Sequence, residues 1–295
     1  MENNAAKHIK YLIYFYIHTR QSPYKVRVYT NYLTYGIVTP AVQDKLQQIE
    51  QHGEIKDLGS RAKNTAYQRF VADIAERCAP LISKLEEIDG IGLRTAVDLC
   101  ANSTPPITSI AQLRSLPLPT YLANAIKMHG KITERIPRAT ITIIAKEIAR
   151  LLGNAQHCVC GSYRRQKPTS GDIDLVIAKS TAFPTLSAAL TALAPLLHTD
   201  LSSRSASTKY SGYIAWRGRF YHIDVRFVAP ASFVPAVFYY TGSALFNVKI
   251  RSHAKKLGYK LNEYGLWRGS RRIPLSNEKD IFQELGLTYL APAKR

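Results

Sequence analysis

The sequence predicts an α+β fold in which a helical first half is followed by a module of mixed strands and helices. Three observations indicate this order. Apolar residues recur at helical spacing up to Leu152, the period becomes strand-like after Gly153, and turn residues separate the segments. A length of 295 residues is enough for one large domain or two to three ordinary ones with a sizeable core.

Residues 5–82 are predicted to be helical, with apolar positions at helical spacing over residues 5–17, 42–49 and 67–79 and with short breaks at 21–23 and at Gly53. Several aromatic residues lie in the first of these helices, and we expect their side chains in the core: Tyr11, Tyr14, Phe15 and Tyr16. Further helices are predicted at residues 81–88, 93–100 and 140–152, and a helical hairpin is predicted at residues 110–128.

Strand-like runs follow at residues 157–160, 173–178, 210–216 and 220–228, with a helix at 185–196 among them. The remaining residues predict helices at 230–240 and 245–257, a strand pair at 259–267 and a closing helix at 278–285. No internal repeat stands out in this pattern, so we expect a fold of distinct domains rather than a solenoid.

The chain carries 40 Lys and Arg against 21 Asp and Glu, a formal net charge of +19. Residues 201–295 hold 16 basic and 5 acidic side chains, so over half of the excess lies in the last third. A surplus of this size indicates a polyanionic partner, with nucleic acid the first candidate. A basic surface that only contacts solvent is the alternative.

The sequence predicts neither a membrane anchor nor a secreted protein. No run reaches the roughly 18 apolar residues of a membrane helix, and no signal-peptide pattern is present. The cysteines match neither a zinc site nor a disulfide framework, which favours a reducing, intracellular compartment. They are Cys78, Cys100, Cys158 and Cys160.

Two aspartates, Asp172 and Asp174, stand one residue apart at the start of a predicted strand. Alternate side chains of a strand share a face, so we expect these carboxylates side by side. Asp224, on a later predicted strand, would complete a cluster of three. Carboxylates this close repel each other and favour a hard divalent cation such as Mg²⁺ between them. Three of them can hold two ions roughly 3.5–4 Å apart.

An isolated Asp-x-Asp pair is a weak signal, because an acidic strand edge that binds nothing also produces it. The preceding Gly161-Ser162-Tyr163-Arg164-Arg165 makes the pattern specific. On a basic turn beside the acids, Ser162 and Arg165 are interpreted as groups that grip triphosphate oxygens. The combination favours nucleotidyl transfer assisted by two metal ions.

These motifs resemble those of the X family of DNA polymerases, the group that contains polymerase beta and polymerase lambda. The resemblance runs from about Leu85 to the C-terminus. Besides the two motifs above, it is carried by Arg135-Ile136-Pro137-Arg138, Tyr239-Tyr240-Thr241-Gly242-Ser243, Phe246-Asn247, Arg251, Asn262-Glu263-Tyr264-Gly265-Leu266, Glu278-Lys279-Asp280-Ile281-Phe282 and Leu285-Gly286-Leu287.

The resemblance implies that the chain is divided into four domains or subdomains. Residues 1–82 form a helical N-terminal domain, and residues 83–134 form a helix-hairpin-helix subdomain that binds DNA. Residues 135–229 form a nucleotidyltransferase palm, and residues 230–295 form a nucleotide-binding C-terminal subdomain.

The resemblance also implies roles for individual residues. Asp172 and Asp174 would ligate two Mg²⁺ ions, for which Mn²⁺ substitutes, and Asp224 would join the catalytic one. The incoming deoxynucleoside triphosphate would be held by Arg135, Ser162, Arg165, Gly171, Tyr239, Tyr240, Gly242 and Asn247. Gapped or primed double-stranded DNA would contact Gly90, Gly92, Arg226, Arg251 and Tyr264.

The segment Ile88-Asp89-Gly90-Ile91-Gly92 can also be interpreted physically. Two glycines before a helix let backbone N–H groups approach a DNA phosphate at the helix N-terminus. A simple helix junction would show the same Gly-x-Gly. With the later motifs, the segment resembles a helix-hairpin-helix that grips the primer strand, with Na⁺ or K⁺ bound there.

The sequence departs from the family pattern in three places. His222 stands where relatives carry the arginine that orients the third aspartate, and Val248 stands where relatives carry a basic residue near the template base. The third departure is residues 1–82, which resemble the family's lyase domain only faintly. A loose alignment places Arg77 at the nucleophilic lysine, with Lys56 and Lys63 as alternatives, so we expect weak or absent lyase activity.

We therefore expect a repair-type DNA polymerase that fills short gaps without proofreading, as a monomer that binds no membrane. Template-independent addition, as by terminal transferase, is the first alternative. A DNA-binding scaffold with an inactive palm is the second, and the complete acid triad disfavours it. The expected location is intracellular, in the nucleus for a cellular protein and in host cytoplasm or virion for a viral one.

Overall fold

The structure is a computed structural model that describes residues 4–88, 91–103, 107–133, 135–198 and 204–295. Its contacts divide the chain into two compact units, Met1–His129 and Gly130–Arg295, called the helical unit and the mixed unit below. Within the described residues, no helix is both long and apolar enough to cross a membrane.

The helical unit contains α1 Asn4–His18, α2 Pro23–Tyr35, α3 Pro40–His52, α4 Arg61–Phe70, α5 Glu76–Glu86, α6 Leu93–Ala101, α7 Ile110–Leu113 and α8 Thr120–Met128. Local chemistry sets several of these ends. The Thr39 hydroxyl accepts a hydrogen bond from the backbone of Val42 and caps α3. Gly36 and Gly53 end α2 and α3 in the left-handed conformation that glycine adopts readily.

The aromatic residues of α1 lie in the core of the helical unit, as predicted: Tyr11, Tyr14, Phe15 and Tyr16 are all buried. The ring of Phe15 packs at 5.4 Å from that of Tyr67 and 5.7 Å from that of Phe70, measured between centroids. One continuous cluster of buried side chains extends from Ile9 to Ile126. The expected boundary between residues 82 and 83 therefore lies inside α5 and within one packed core.

One detail of the helical unit differs from the sequence expectation. The helix predicted over residues 67–79 is interrupted by a π-helical turn at Val71–Ala75, between α4 and α5. The helix α2 lies within the residues predicted to be helical, although it buries only Val28 and Tyr29 and so has a weak apolar period.

The mixed unit contains β1 Ile136–Pro137, α9 Arg138–Leu152, β2 His157–Val159, α10 Gly161–Arg164, β3 Thr169–Ser170, β4 Ile173–Ala178, α11 Leu186–Leu193, β5 Arg204–Ala206, β6 Lys209–Trp216 and β7 Arg219–Val228. It continues with α12 Phe233–Thr241, α13 Ala244–Lys256, β8 Tyr259–Asn262, β9 Gly265–Arg268, β10 Arg271–Arg272 and α14 Glu278–Glu284. Together the two units confirm the predicted α+β class.

A five-stranded sheet in the order β2-β4-β7-β6-β5 forms the centre of the mixed unit. The strands β4 and β7 run parallel, whereas the other neighbours are antiparallel. Along β7 the side chains alternate between buried and half-buried. The buried face packs on α9 and α11 through residues such as Ile144, Leu193 and Val225. The other face carries the polar side chains, and α12 covers one end of it at Val176.

The segment 161–165, expected as a basic turn, instead forms the single-turn helix α10. The backbone N–H of Cys160 bonds to the carbonyl of Asp174, and Gly161 then turns the chain with a φ of +56°. The strand predicted at residues 173–178 is β4, with the same bounds, and Asp172 immediately precedes it. The difference at α10 reflects a tight junction between the end of β2 and the start of β4, which sequence periodicity does not reveal.

We expect Leu12→Ala to lower the free energy of unfolding by about 2–5 kcal/mol, because the truncation leaves a cavity in a tightly packed core. Leu12 is completely buried in the cluster of the helical unit. Urea denaturation measures the change. Tyr24→Ala, at a side chain that is 63 % exposed, is the matched control and should change it by less than about 0.5 kcal/mol. Equal losses in both variants would contradict this packing.

Candidate active site

Three carboxylates meet on the half-buried face of the five-stranded sheet. The parallel pairing of β4 and β7 places Asp174 directly beside Asp224, and Asp172 immediately precedes β4. One ligand oxygen from each of the three lies within 4.8 Å of the others. The predicted triad is thus assembled by the register of two strands that are about 50 residues apart in sequence.

The electrostatics of this triad are unfavourable without a cation. Burial, acting together with the negative charges of Asp172 and Asp224, raises the pKa of Asp174 to about 7. Arg226 and His222 oppose the shift but do not cancel it. A donor set made only of carboxylate oxygens suits a hard divalent cation, so these residues fit the metal site that the sequence predicted.

A group of basic and small polar residues, called the cradle below, lies next to the triad and consists of Arg135, Ser162, Arg165 and Gly171. From the end of α10, Arg165 donates a hydrogen bond through Nη1 to the carbonyl of Thr241 at 2.5 Å. Burial lowers the pKa of Arg165, and the charges of Asp174 and Asp172 oppose that shift. Its Nε is buried and has no hydrogen-bond partner among the described residues. A partly desolvated guanidinium of this kind is suited to an anionic ligand.

The segment from α12 to α13 forms the wall of this cradle. The rings of Tyr239 and Tyr240 stand edge-to-face at 5.2 Å between centroids. The side-chain amide of Asn247 donates to the carbonyl of Tyr239 at 2.7 Å. At Gly242, which has a φ of +67°, an added Cβ would lie 3.0 Å from Arg165 Nη1. The wall therefore leaves no room for a side chain at that position.

Arg135 and Gly171 lie on the short β1–β3 side of the site. Arg135 donates hydrogen bonds to the hydroxyl of Thr169 at 2.8 Å and to its carbonyl at 3.1 Å. An added Cβ at Gly171 would meet only the guanidinium of Arg135, at 3.8 Å. Ser162 is half-buried on α10. The structure thus brings Arg135, Ser162, Arg165 and Gly171 to the region around the acids.

The remaining predicted DNA contacts are more dispersed. Arg226 donates to Asp224 at 3.3 Å and lies 5.3 Å over the ring of Tyr240, so its guanidinium supports the triad and the wall. Arg251 is exposed and lies 5.9 Å over Tyr239, and Tyr264 is 51 % exposed. In the helical unit, Gly92 is exposed and caps the start of α6. Gly90 lies outside the described residues.

His222 and Val248, the two residues near the site that differ from the family pattern, lie on β7 and α13. His222 Nε2 and the Ser211 hydroxyl are hydrogen-bonded at 2.9 Å, and Ser211 is paired with Asp224 across β6 and β7. A hydroxyl–imidazole pair therefore stands where the family pattern has an arginine. Val248 is 37 % exposed on α13, with no basic group at that position.

The structure adds a group of residues to which the sequence argument assigned no role. Arg164 donates to both carboxylate oxygens of Glu278, at 2.6 and 3.0 Å, and to the hydroxyl of Thr241 at 2.8 Å. Arg295 donates to Glu278 at 2.7 Å. Burial alone raises the pKa of Glu278, but these hydrogen bonds outweigh it and the pKa lies below its ordinary value. The sequence signal for this network was the presence of two arginines in Gly161-Ser162-Tyr163-Arg164-Arg165, because only one of the two was assigned to the triphosphate.

Ser170 is the second addition. It is 1 % exposed, and its hydroxyl has no partner among the described residues although it directly precedes Gly171 and Asp172. A buried hydroxyl without a partner is costly, so its position beside the triad marks it as a further ligand-binding candidate. The Ser-Gly-Asp spacing was the available sequence signal.

Comparisons with known proteins agree with this geometry. The family model described as DNA polymerase beta palm matches residues 135–230, and the one described as DNA polymerase beta thumb matches residues 236–295. The crystal structure of Leishmania infantum polymerase beta in a ternary P/T complex superimposes with a TM-score of 0.65 at 24 % identity. The likeness covers 74 % of this chain and 99 % of that one, and it shows the same fold.

Two relatives extend the comparison. DNA polymerase lambda from Rattus norvegicus is 30 % identical over 247 residues, which cover 73 % of this chain and 42 % of the rat protein. Repair DNA polymerase X of African swine fever virus is 34 % identical over 144 residues, which cover 46 % of this chain and 78 % of the viral protein. The chain thus matches less than half the length of the rat protein.

A palm with three clustered aspartates, followed by a thumb that supplies the wall of a basic cradle, defines a nucleotidyltransferase of the polymerase type. The chain belongs to the X family of DNA polymerases, the polymerase beta-like group.

We expect Gly161→Ala to lower the affinity for Mn²⁺ at least about tenfold, because the new Cβ would lie 2.1 Å from Asp174 Oδ2 and must displace that carboxylate. Isothermal titration of the metal-free chain measures this. Gly218→Ala, at a φ of +75° with nothing within 4 Å of the Cβ, has the same backbone strain without the clash. An equal loss of affinity in both variants would show that backbone strain at a positive φ, and not displacement of the Asp174 carboxylate, is responsible.

The raised pKa of Asp174 predicts a pH-dependent metal affinity. Below about pH 7 a proton competes with the cation at this carboxylate, so the affinity should fall by up to about tenfold per pH unit. In the unfolded chain the ordinary value is 3.8. The metal-free fold therefore loses stability as the pH rises from about 4 to 7, and the loss is complete above pH 7. Mn²⁺ titrations at pH 6 and 8 measure the effect, and equal affinities would contradict it.

Proposed function

We propose that this chain is a DNA-directed DNA polymerase of the repair type, which extends a primer 3′-hydroxyl by two-metal nucleotidyl transfer and fills short gaps. The observation that carries the proposal is the convergence of three carboxylates within 4.8 Å beside the partly desolvated Arg165. Opposite charges placed side by side suit a ligand that is anionic and metal-bound, as a nucleoside triphosphate is.

The acids would hold the metal ions. Asp172 and Asp174 would ligate two Mg²⁺ ions, for which Mn²⁺ substitutes, and Asp224 would join them at the catalytic one. When bound, the ions would activate the primer hydroxyl and neutralise charge on the triphosphate. The chain itself keeps Asp224 in place through Arg226, whose guanidinium donates to it at 3.3 Å.

The cradle would bind the deoxynucleoside triphosphate. Arg165, Ser162 and Arg135 offer a guanidinium, a hydroxyl and a second guanidinium to the phosphates, and Gly171 permits close approach beside Arg135. In-line attack then needs the α-phosphorus to be held facing the primer, and this positioning is the main contribution of these residues.

The wall would select the sugar and read the base. At Gly242 the backbone itself lines the site, which brings it close enough to crowd a ribose 2′-hydroxyl. Tyr239 and Tyr240 would contact sugar and base. One N–H of Asn247 is engaged by the Tyr239 carbonyl, so its other N–H and its carbonyl remain for the minor-groove edge of the nucleotide.

Gapped or primed DNA would lie along the basic surfaces. On α13 and β8 a cleft is lined by Val248, Arg251, Lys255, Tyr259 and Lys260. Its cations suit template phosphates, and the net charge of +19 predicts binding that weakens steeply with salt. In the helical unit, the N-terminus of α6 at Gly92 would grip the primer strand, with Na⁺ or K⁺.

The triad, the cradle and the wall all belong to the mixed unit, so we propose a monomeric enzyme. No abasic-site lyase is assigned to the helical unit, where Arg77, Lys56 and Lys63 are all exposed. Template-independent addition is the competing activity, and the assay below distinguishes it.

We expect Asp224→Asn to reduce single-nucleotide incorporation by at least about 10³-fold, because the ion that activates the primer hydroxyl loses a charged ligand. Primer extension with Mg²⁺ on one-nucleotide-gapped DNA measures the rate. DNA affinity, measured by fluorescence anisotropy, should change less than about threefold.

Glu147→Gln is the matched control, since it removes one carboxylate charge from the outer side of α9, where Glu147 pairs with Arg150. It should leave incorporation unchanged. The wild-type chain should extend gapped and recessed primers but not single-stranded ones. Efficient extension of single-stranded DNA would replace gap filling by terminal transfer, and near-normal incorporation by Asp224→Asn would overturn the proposed mechanism.

A further inference from the structure

Two cysteines of the helical unit form a pair that the proposed reaction does not use. Cys78 lies on α5 and Cys100 on α6, 22 positions apart in sequence. The Cys78 thiol donates a hydrogen bond to the carbonyl oxygen of Cys100 at 3.6 Å, which holds the two cysteines next to each other. Both are reduced and buried, with exposures of 3 % and 0 %. The sequence, which shows no cysteine framework, did not reveal this pairing.

We propose that Cys78 and Cys100 are a redox modification site at which a reversible disulfide cross-links α5 to α6. The oxidant would be a small organic disulfide such as oxidised glutathione. The Cys78 thiolate attacks one sulfur of the oxidant, whose S–S bond breaks and releases one glutathione thiolate. The Cys100 sulfur then attacks the mixed disulfide at Cys78 and releases the second. Two electrons pass to the oxidant, and the two cysteine protons end on the glutathione thiols.

The surroundings of Cys78 favour its role as the attacking sulfur. The hydrogen bond from the Cys100 thiol lowers the pKa of Cys78, burial opposes this shift, and the charge of Arg77 adds to the lowering. The Cys100 thiol has the opposite shift, because it is buried and donates to its partner. Cys78, next to Arg77 and close to the π-helical turn Val71–Ala75, is thus the sulfur that attacks the oxidant, and Cys100 resolves the mixed disulfide.

The backbone around Cys78 provides a route for the oxidant. The helix α5 follows directly on the π-helical turn Val71–Ala75, a rare geometry that is weaker than a regular helix. Two residues after Cys78, Pro80 has no N–H to donate to the carbonyl of Glu76. Local opening of this turn would expose the sulfur without unfolding the rest of the core.

The other two cysteines provide an internal comparison. The Cys160 thiol likewise donates to the carbonyl of Cys158, at 3.6 Å, but these two cysteines lie only two positions apart at the end of β2. Two residues of extended chain span about 6.6 Å, near the upper limit of Cα separation for a disulfide. Their side chains project from the same side of the backbone, so closure would distort the strand. We therefore expect Cys78 and Cys100 to form a disulfide and Cys158 and Cys160 to remain reduced.

A cross-link between α5 and α6 would fasten the two helices that flank the predicted DNA grip around residues 88–92. It would also restrict the unfolded chain by closing a loop between positions that are 22 apart, which stabilises the folded state. The site would therefore couple the redox state of the surroundings to the stability of the helical unit.

The test uses the full chain, fully reduced and then exposed to oxidised glutathione at neutral pH. Remaining thiols are blocked with iodoacetamide, and non-reducing proteolysis with mass spectrometry identifies any linked peptides. We expect a Cys78–Cys100 peptide, with Cys158 and Cys160 alkylated. Thermal unfolding of the oxidised chain should shift upward by roughly 5–10 °C, and dithiothreitol should reverse the shift.

Two variants separate this site from a general effect of oxidation. Cys100→Ser should lose the thermal shift, whereas Cys158→Ser should keep it in full. The proposal is overturned if the wild-type chain yields no Cys78–Cys100 peptide or links Cys158 to Cys160 instead. It is also overturned if the oxidised chain unfolds at the same or a lower temperature than the reduced one.

Discussion

The parallel pairing of β4 with β7 brings like charges together, and much of the mixed unit depends on that constraint. The register places Asp174 beside Asp224, with Asp172 next to both, and burial adds to their mutual repulsion. Such an arrangement costs free energy in the metal-free chain. A divalent cation would relieve this cost, and the positive charge of Arg226 offsets part of it in the chain itself.

Two adjacent arginines beside this cluster have different partners. Arg165 stays close to the acids and bonds to the Thr241 carbonyl, whereas Arg164 pairs with Glu278 at the start of α14. Arg295 packs against the same carboxylate, with its guanidinium about 5–6 Å from the centres of several aromatic rings. The α10 turn is thus connected to α14 by a buried ion pair. A substitution at Arg164 or at Glu278 should therefore change the position of Arg165 in the cradle.

Much of the fold was predictable because local patterns carried it. The apolar period identified most helices, and alternation identified β4, β6 and β7 within a residue or two of their ends. The pattern failed at α10, where backbone bonds between β2 and β4 decide the geometry. It also did not show that one core spans the helical unit across residue 82.

For the site, the sequence by itself determined which carboxylates are candidate metal ligands and which residues form the basic cradle, because Asp-x-Asp spacing and a Gly-Ser-x-Arg-Arg run place their groups through local geometry. The tertiary structure alone decided which distant residues meet. The proximity of Asp224, the hydrogen bond between Ser211 and His222, and the thiol pair of Cys78 and Cys100 depend on strand register and helix packing. Such contacts join positions tens of residues apart or across a hairpin, and spacing along the chain does not encode them.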